Sequence, residues 1–151
     1  MATIGEFCNR EVVVAARDTP VVAAAKLMRQ YHVGTVVVVD EVNGNRRVPV
    51  GIITDRDLVV EIVATELDPK AITIGDVMAA ELVTARQTEG LAEAVEIMRC
   101  KGVRRLPIVG DDGHLIGIVS VDDLLGVLAE HMTDLTKIVS REQAREAQAR
   151  R

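Results

Sequence analysis

The chain has 151 residues, a formal charge of −5 and 48% hydrophobic residues, so it buries a real core while lacking the basic stripes that nucleic-acid binding needs. Phe7 and Tyr31 are the only aromatics and Trp is absent, so Val, Ile, Leu, Ala and Met must fill that core. No apolar run approaches the length of a bilayer span, and "MATIGEFCNREVVV" has no basic region followed by a long apolar stretch.

The first strong pattern is Val21, Ala24, Ala25 and Met28, spaced as one apolar stripe of a helix. Thr19-Pro20 reads as its N-cap and first helical position. A β-branched strand follows at 35–40, "TVVVVD", then a turn, "EVNGNRR", in which Asn43-Gly44 signals a hairpin. The strand "GIIT" leads into "DRD" and a helix, "DLVVEIVA". Asp68-Pro69 breaks that helix, so residues 67–73 read as a connection.

The chain then repeats itself. A shift of 70 places Leu91, Ala94, Val95, Ile97, Met98, Arg99 and Val103 on Val21, Ala24, Ala25, Leu27, Met28, Arg29 and Val33. Thr88-Glu89 reads as the second cap, "RLPIVG" as the strand, "DDGH" as the turn and "GIVSVDD" as the partner of "GIITDRD". After the turn the shift is 66, so the first copy carries four extra residues in a longer exposed hairpin. Each copy reads β-α-β-β-α over about 60 residues, marginal alone, so two copies are expected to share a core.

The expected fold class is α/β (α+β): two such repeats packed sheet to sheet with pseudo-twofold symmetry, plus a C-terminal helix. The expected division is repeat one at 8–66, the connection at 67–73, repeat two at 74–131 and a helical tail at 132–151. In the tail, Met132, Leu135, Ile138 and Val139 form a short apolar face ahead of a charged end.

Ser/Thr-x-x-Asp before an apolar run is a capping-box pattern, and Thr54 with Asp57, like Ser120 with Asp123, satisfies it. A helix start is also an anion site, and a carboxylate there suits a ribose diol. Positive charge comes from different places in the two copies: Arg56 in the first, Arg104 and Arg105 in the second, where the first has Gly34-Thr35.

At "VGIITDRDLV" and "VRRLPIVGDDGHLIGIVSVDDLL" the chain resembles a tandem pair of CBS (cystathionine β-synthase-type) domains, a Bateman module, over roughly residues 8–131. The resemblance implies a ligand such as AMP, ADP, ATP, NAD or an S-adenosylmethionine-type molecule. It places the ribose on Asp57 and Asp123, phosphate near Thr54 and Ser120, and a basic contact on Arg105 with Arg104 beside it. Thr35 breaks that pattern in the first copy, leaving Arg56 as the substitute. Adenine would sit between the copies against Val33, Gly34 and Val103. A disc-like homodimer through helices 55–66 and 121–131 is also implied.

His32, His114 and His131 share no ligand spacing, so no metal site is expected, and no catalytic pair converges. Cys8 and Cys100 are isolated thiols that fit a reducing cytoplasm. The expectation is a non-catalytic cytoplasmic sensor of an adenine nucleotide, without catalytic cofactor, nucleic acid or membrane, acting through a protein effector. The alternative is a ligand-free structural or interaction module, and a third reading is a small nucleotide-directed enzyme.

Overall fold

The structure, a computed structural model, describes residues 2–150. It divides after Val119 into two compact units.

In the first unit, helix α1 (Ile4–Phe7) precedes strand β1 (Val14–Ala15), helix α2 (Val21–Tyr31), strand β2 (Thr35–Val42) and strand β3 (Arg46–Thr54). A short α3 (Asp55–Asp57) runs directly into π-helical turns over Leu58–Val63. The second half repeats the order as α4 (Ile74–Val77), β4 (Ala85–Arg86), α5 (Leu91–Lys101), β5 (Arg105–Val109) and β6 (Leu115–Ser120). The result is a mixed α/β fold with two three-stranded sheets, ordered β1-β2-β3 and β4-β5-β6. Within them β1 runs parallel to β2 and β4 parallel to β5.

The insertion in copy one is a longer hairpin, as its turn residues predict. Asn43 (φ 52°) and Gly44 (φ 85°) both take positive φ, and β2 pairs with β3 out to Val42↔Arg46. The register slips between Val38 and Val39, opposite Gly51 and Pro49, where an edge strand accommodates a proline.

Three local readings change. Helix α2 starts at Val21 with Pro20 as N-cap and no side-chain cap, because the Val21 and Val22 N–H groups donate to Ile72 O (2.8 Å) and Pro69 O (2.9 Å). Helix α5 is capped at Gly90, not Thr88-Glu89, with the Glu93 carboxylate accepting the Gly90 N–H at 3.2 Å. The helix after β3 is π-wound over most of its length.

The repeat also reaches further back than its helices suggest. "TIGEFC" at 3–8 and "TIGDVM" at 73–78 are equivalent, and each docks on the other copy. Ile74 N–H and Gly75 N–H donate to Thr19 O and Arg17 O, both at 2.9 Å, while Ile4 N–H and Gly5 N–H donate to Glu89 O (2.8 Å) and Gln87 O (3.0 Å). Ile74 is fully buried in the cluster of Val21, Ala24, Met28, Val36, Val38, Ile53 and Ile62, and Ile4 is equally buried.

The exchange explains the glycines of the repeated stretch. A Cβ on Gly51 would overlap the Met78 sulfur, and one on Gly117 would lie 2.7 Å from both Asn9 O and Cys8 Sγ. Both serve close approach rather than an unusual φ.

The second unit is one helix, α6 (Val121–Ala149), capped by Ser120. The predicted helix at 121–131 and the tail at 132–151 are therefore continuous through the described residues, since no Pro or Gly interrupts 127–149.

Candidate functional site

Strand β3 ends at Thr54, which is extended (φ −116°, ψ 163°), and the chain turns into helix there. The Thr54 hydroxyl accepts the Asp57 N–H at 3.2 Å, and Asp57 Oδ2 accepts the Thr54 N–H at 2.8 Å. Ser120 and Asp123 make the same box: Asp123 Oδ2 accepts Ser120 N–H (2.8 Å) and Ser120 Oγ–H (2.9 Å), and Ser120 Oγ accepts Asp123 N–H (3.2 Å). Capping therefore uses one carboxylate oxygen of each aspartate. Among the described residues Oδ1 of Asp57 and of Asp123 has no hydrogen-bond partner.

Beside the first box, Asp55 N–H donates to Gly34 O at 3.0 Å, and a Cβ on Gly34 would approach Asp55 Oδ2 to 3.0 Å. Thr35 lies opposite Thr54 in the β2–β3 ladder. Its hydroxyl is buried and, among the described residues, unpartnered. Buried hydroxyls are normally satisfied, so this one stands out at the junction of β2 and β3.

Val33 continues from Gly34 into a cavity of about 590 Å³, lined also by Asn9, Glu11, Val12, Val13, Val14, Leu27 and Tyr31. It forms where the chain crosses from one sheet to the other. Asn9 exchanges both backbone hydrogen bonds with Ile118 of β6 (3.0 and 2.9 Å), and Val14 pairs with Val37 of β2. The sequence reading missed Tyr31 and the 9–14 segment. Only the rarity of an aromatic singled Tyr31 out, and it stands at this cavity, 54% exposed.

Val33 and Val103 occupy matching places. Each donates its N–H to the carbonyl of Met28 or Met98 at 3.1 Å, just past a left-handed C-cap at His32 (φ 55°) or Gly102 (φ 67°). Arg56 is exposed on α3, Arg104 is exposed before β5, and Arg105 is half-buried at its start. Among the described residues none of these three enters an ion pair, whereas Arg17 holds Asp40 bidentately and Arg46 holds Asp112.

Both thiols are held toward the protonated form. Burial raises the Cys8 pKa, and the Glu96 carboxylate beside Cys100 raises that of Cys100. Among the described residues no group of three or more His, Cys, Asp or Glu is placed to hold a metal. No described helix is long and apolar enough to cross a membrane.

The CBS-domain family model matches residues 4–64 and 74–130. This chain is a CBS-domain protein. It is 39% identical over 125 residues to protein MK0525 of Methanopyrus kandleri, covering 83% of this chain and 62% of that one. It is 32% identical over 124 residues to the CBS domain-containing protein YhcV of Bacillus subtilis, covering 82% and 84%. Among solved structures it is similar to CBSX2 in complex with AMP, with a TM-score of 0.71, 25% identity and coverage of 87% and 99%. The two matched segments begin at the two leading helices, so the CBS-domain repeat includes the segments that change places.

Proposed function

We propose that this CBS-domain pair is a non-catalytic regulatory module that binds an adenine nucleotide between its repeats. The observation that carries the reading is the junction of cavity and capping box. Val33-Gly34 joins a 590 Å³ cavity to the box whose Asp57 keeps one carboxylate oxygen free. AMP on CBSX2 supports the ligand class.

In this reading Asp57 and Asp123 accept from ribose hydroxyls, and Thr54 and Ser120 approach phosphate. Thr35 supplies its unpartnered hydroxyl, and Val33, Gly34 and Val103 contact the base. Tyr31 adds an aromatic face for the base. Arg56 in the first repeat, and Arg104 with Arg105 in the second, meet phosphate. The candidates are AMP, ADP, ATP and NAD. In this reading the module acts as a homodimer in the cytoplasm and signals to a protein effector, and ligand binding shifts its conformation by the ligand's differential affinity for two states.

A thermal-shift panel of AMP, ADP, ATP, NAD and guanosine counterparts tests this. At 100 times Kd a ligand adds about 2.7 kcal/mol. A shift with an adenine nucleotide that is lost in Asp57→Asn with Asp123→Asn supports the site. A flat panel at millimolar ligand leaves the ligand-free interaction module.

A further inference from the structure

Helix α6 keeps a long apolar stripe in solvent. Leu125, Leu128, Met132, Leu135 and Val139 are 42–68% exposed, and Ile138 beside them is 61% exposed. Their spacing alternates three and four residues, the seam of a two-helix coiled coil. A lone solvated helix does not need such a seam.

Charge along α6 selects the partner and its direction. Residues 122–134 carry Asp122, Asp123, Glu130 and Asp134 with no Lys or Arg, a formal charge of −4. Residues 137–150 carry Lys137, Arg141, Arg145 and Arg150 against Glu142 and Glu146, a formal charge of +2. A parallel pair would set the acidic halves against each other. An antiparallel pair sets the acidic half of one helix on the basic half of its partner, and it also opposes the helix dipoles.

We infer that α6 pairs antiparallel with α6 of a second copy of this chain. One register satisfies the stripe from Leu128 onward: Leu128 faces Val139 and Met132 faces Leu135, about a centre between Thr133 and Asp134, with Leu125 opposite Glu142 at the rim. The inference shares with the reading above only the need for a second copy. It is independent of the nucleotide site.

The experiment measures spin-label distances on the full chain. Cys8 is buried and the exposed Cys100 is first replaced by serine. Labels are placed through Thr133→Cys or Ala147→Cys, both at exposed positions. At 133 the two labels are expected within about 25 Å, the spacing of packed helices plus label arms. At 147 they are expected about 40 Å apart, since 27 residues of axial offset separate them at 1.5 Å each. Short distances at both positions mean a parallel pair and overturn the inference. A sample that sediments as a dimer with no short distance at 133 also overturns it, while leaving the homodimer reading intact. A monomer at tens of micromolar overturns both.

Discussion

Asp57 Oδ2 accepts the Thr54 N–H at 2.8 Å while the Thr54 hydroxyl accepts the Asp57 N–H at 3.2 Å, and Ser120 with Asp123 repeats the arrangement. Each aspartate therefore serves the backbone with one oxygen, and in the proposed reading the other meets the ligand. Substitutions separate the two duties. Asp57→Ala removes the reciprocal half of the capping box, the bond to the Thr54 N–H, while the Thr54 hydroxyl still caps the helix, and is expected to cost about 0.5–1 kcal/mol. Asp57→Asn keeps an acceptor for the Thr54 N–H and costs less, but removes the charge-assisted bond to a ribose. Melting curves and nucleotide titration of both variants should show Asn losing affinity, about tenfold, with the smaller loss of stability. Equal affinity in the wild type and Asp57→Asn would remove this carboxylate from the site.

His32 ends α2 in the left-handed conformation, the place Gly102 holds after α5. A side chain there is strained by roughly 1–2 kcal/mol. His32→Gly is expected to stabilise by about 0.5–1 kcal/mol, less than the strain because glycine also gains freedom when unfolded. Gly102→Ala should destabilise by about 1 kcal/mol. Urea midpoints of the two variants moving in opposite directions would establish this, and movement in the same direction would refute it.

Gly51 and Gly117 lie beneath Met78 and beneath Cys8 with Asn9. Alanine at either position overpacks a seam made by the exchanged segments, at about 1–3 kcal/mol. The remedies differ. Gly51→Ala meets a flexible side chain, so Met78→Ala should restore part of the stability. Gly117→Ala meets the Asn9 carbonyl, 2.7 Å away, so trimming Cys8 should not. Thermal denaturation of the two double variants checks the contrast.

Acid should weaken the fold over a defined window. The bidentate Arg17 guanidinium holds Asp40 below its ordinary 3.8. The Thr73 backbone N–H and then its hydroxyl do the same for Asp76, and His114, more than Arg46, does so for Asp112. A carboxylate whose folded pKa is depressed contributes stability above its unfolded pKa and loses it as pH falls through the folded value. The loss therefore begins near pH 4 and grows below it. All three groups are largely exposed, so each share is small. Stability measured from pH 7 to pH 2 should fall in that range, and less steeply in Asp76→Asn.

The duplicated helices, the hairpin at Asn43-Gly44 and both capping boxes were legible in the residues, because each depends on contacts three or four positions apart or on a turn's own φ. The equivalence of "TIGEFC" and "TIGDVM" was equally present, but nothing local says that each segment docks on the other copy. That choice belongs to backbone hydrogen bonds spanning 50 residues or more, from Ile74 to Thr19 and from Ile4 to Glu89. Thr19 is likewise relieved of capping duty by distant carbonyls, since Ile72 O and Pro69 O accept from the Val21 and Val22 N–H groups, whereas at α5 the shift to Gly90 with Glu93 is local.

The sequence by itself determined the repeat, the apolar stripes and the paired Ser/Thr-x-x-Asp boxes. Only the tertiary structure decided where the crossing segment 9–14 runs, and with it the cavity that brings Tyr31 and Val33 beside Gly34. The physical reason is range. Periodicity and capping are short-range chemistry written in neighbouring residues, whereas a cavity is the space left between segments whose packing is settled by burial far along the chain.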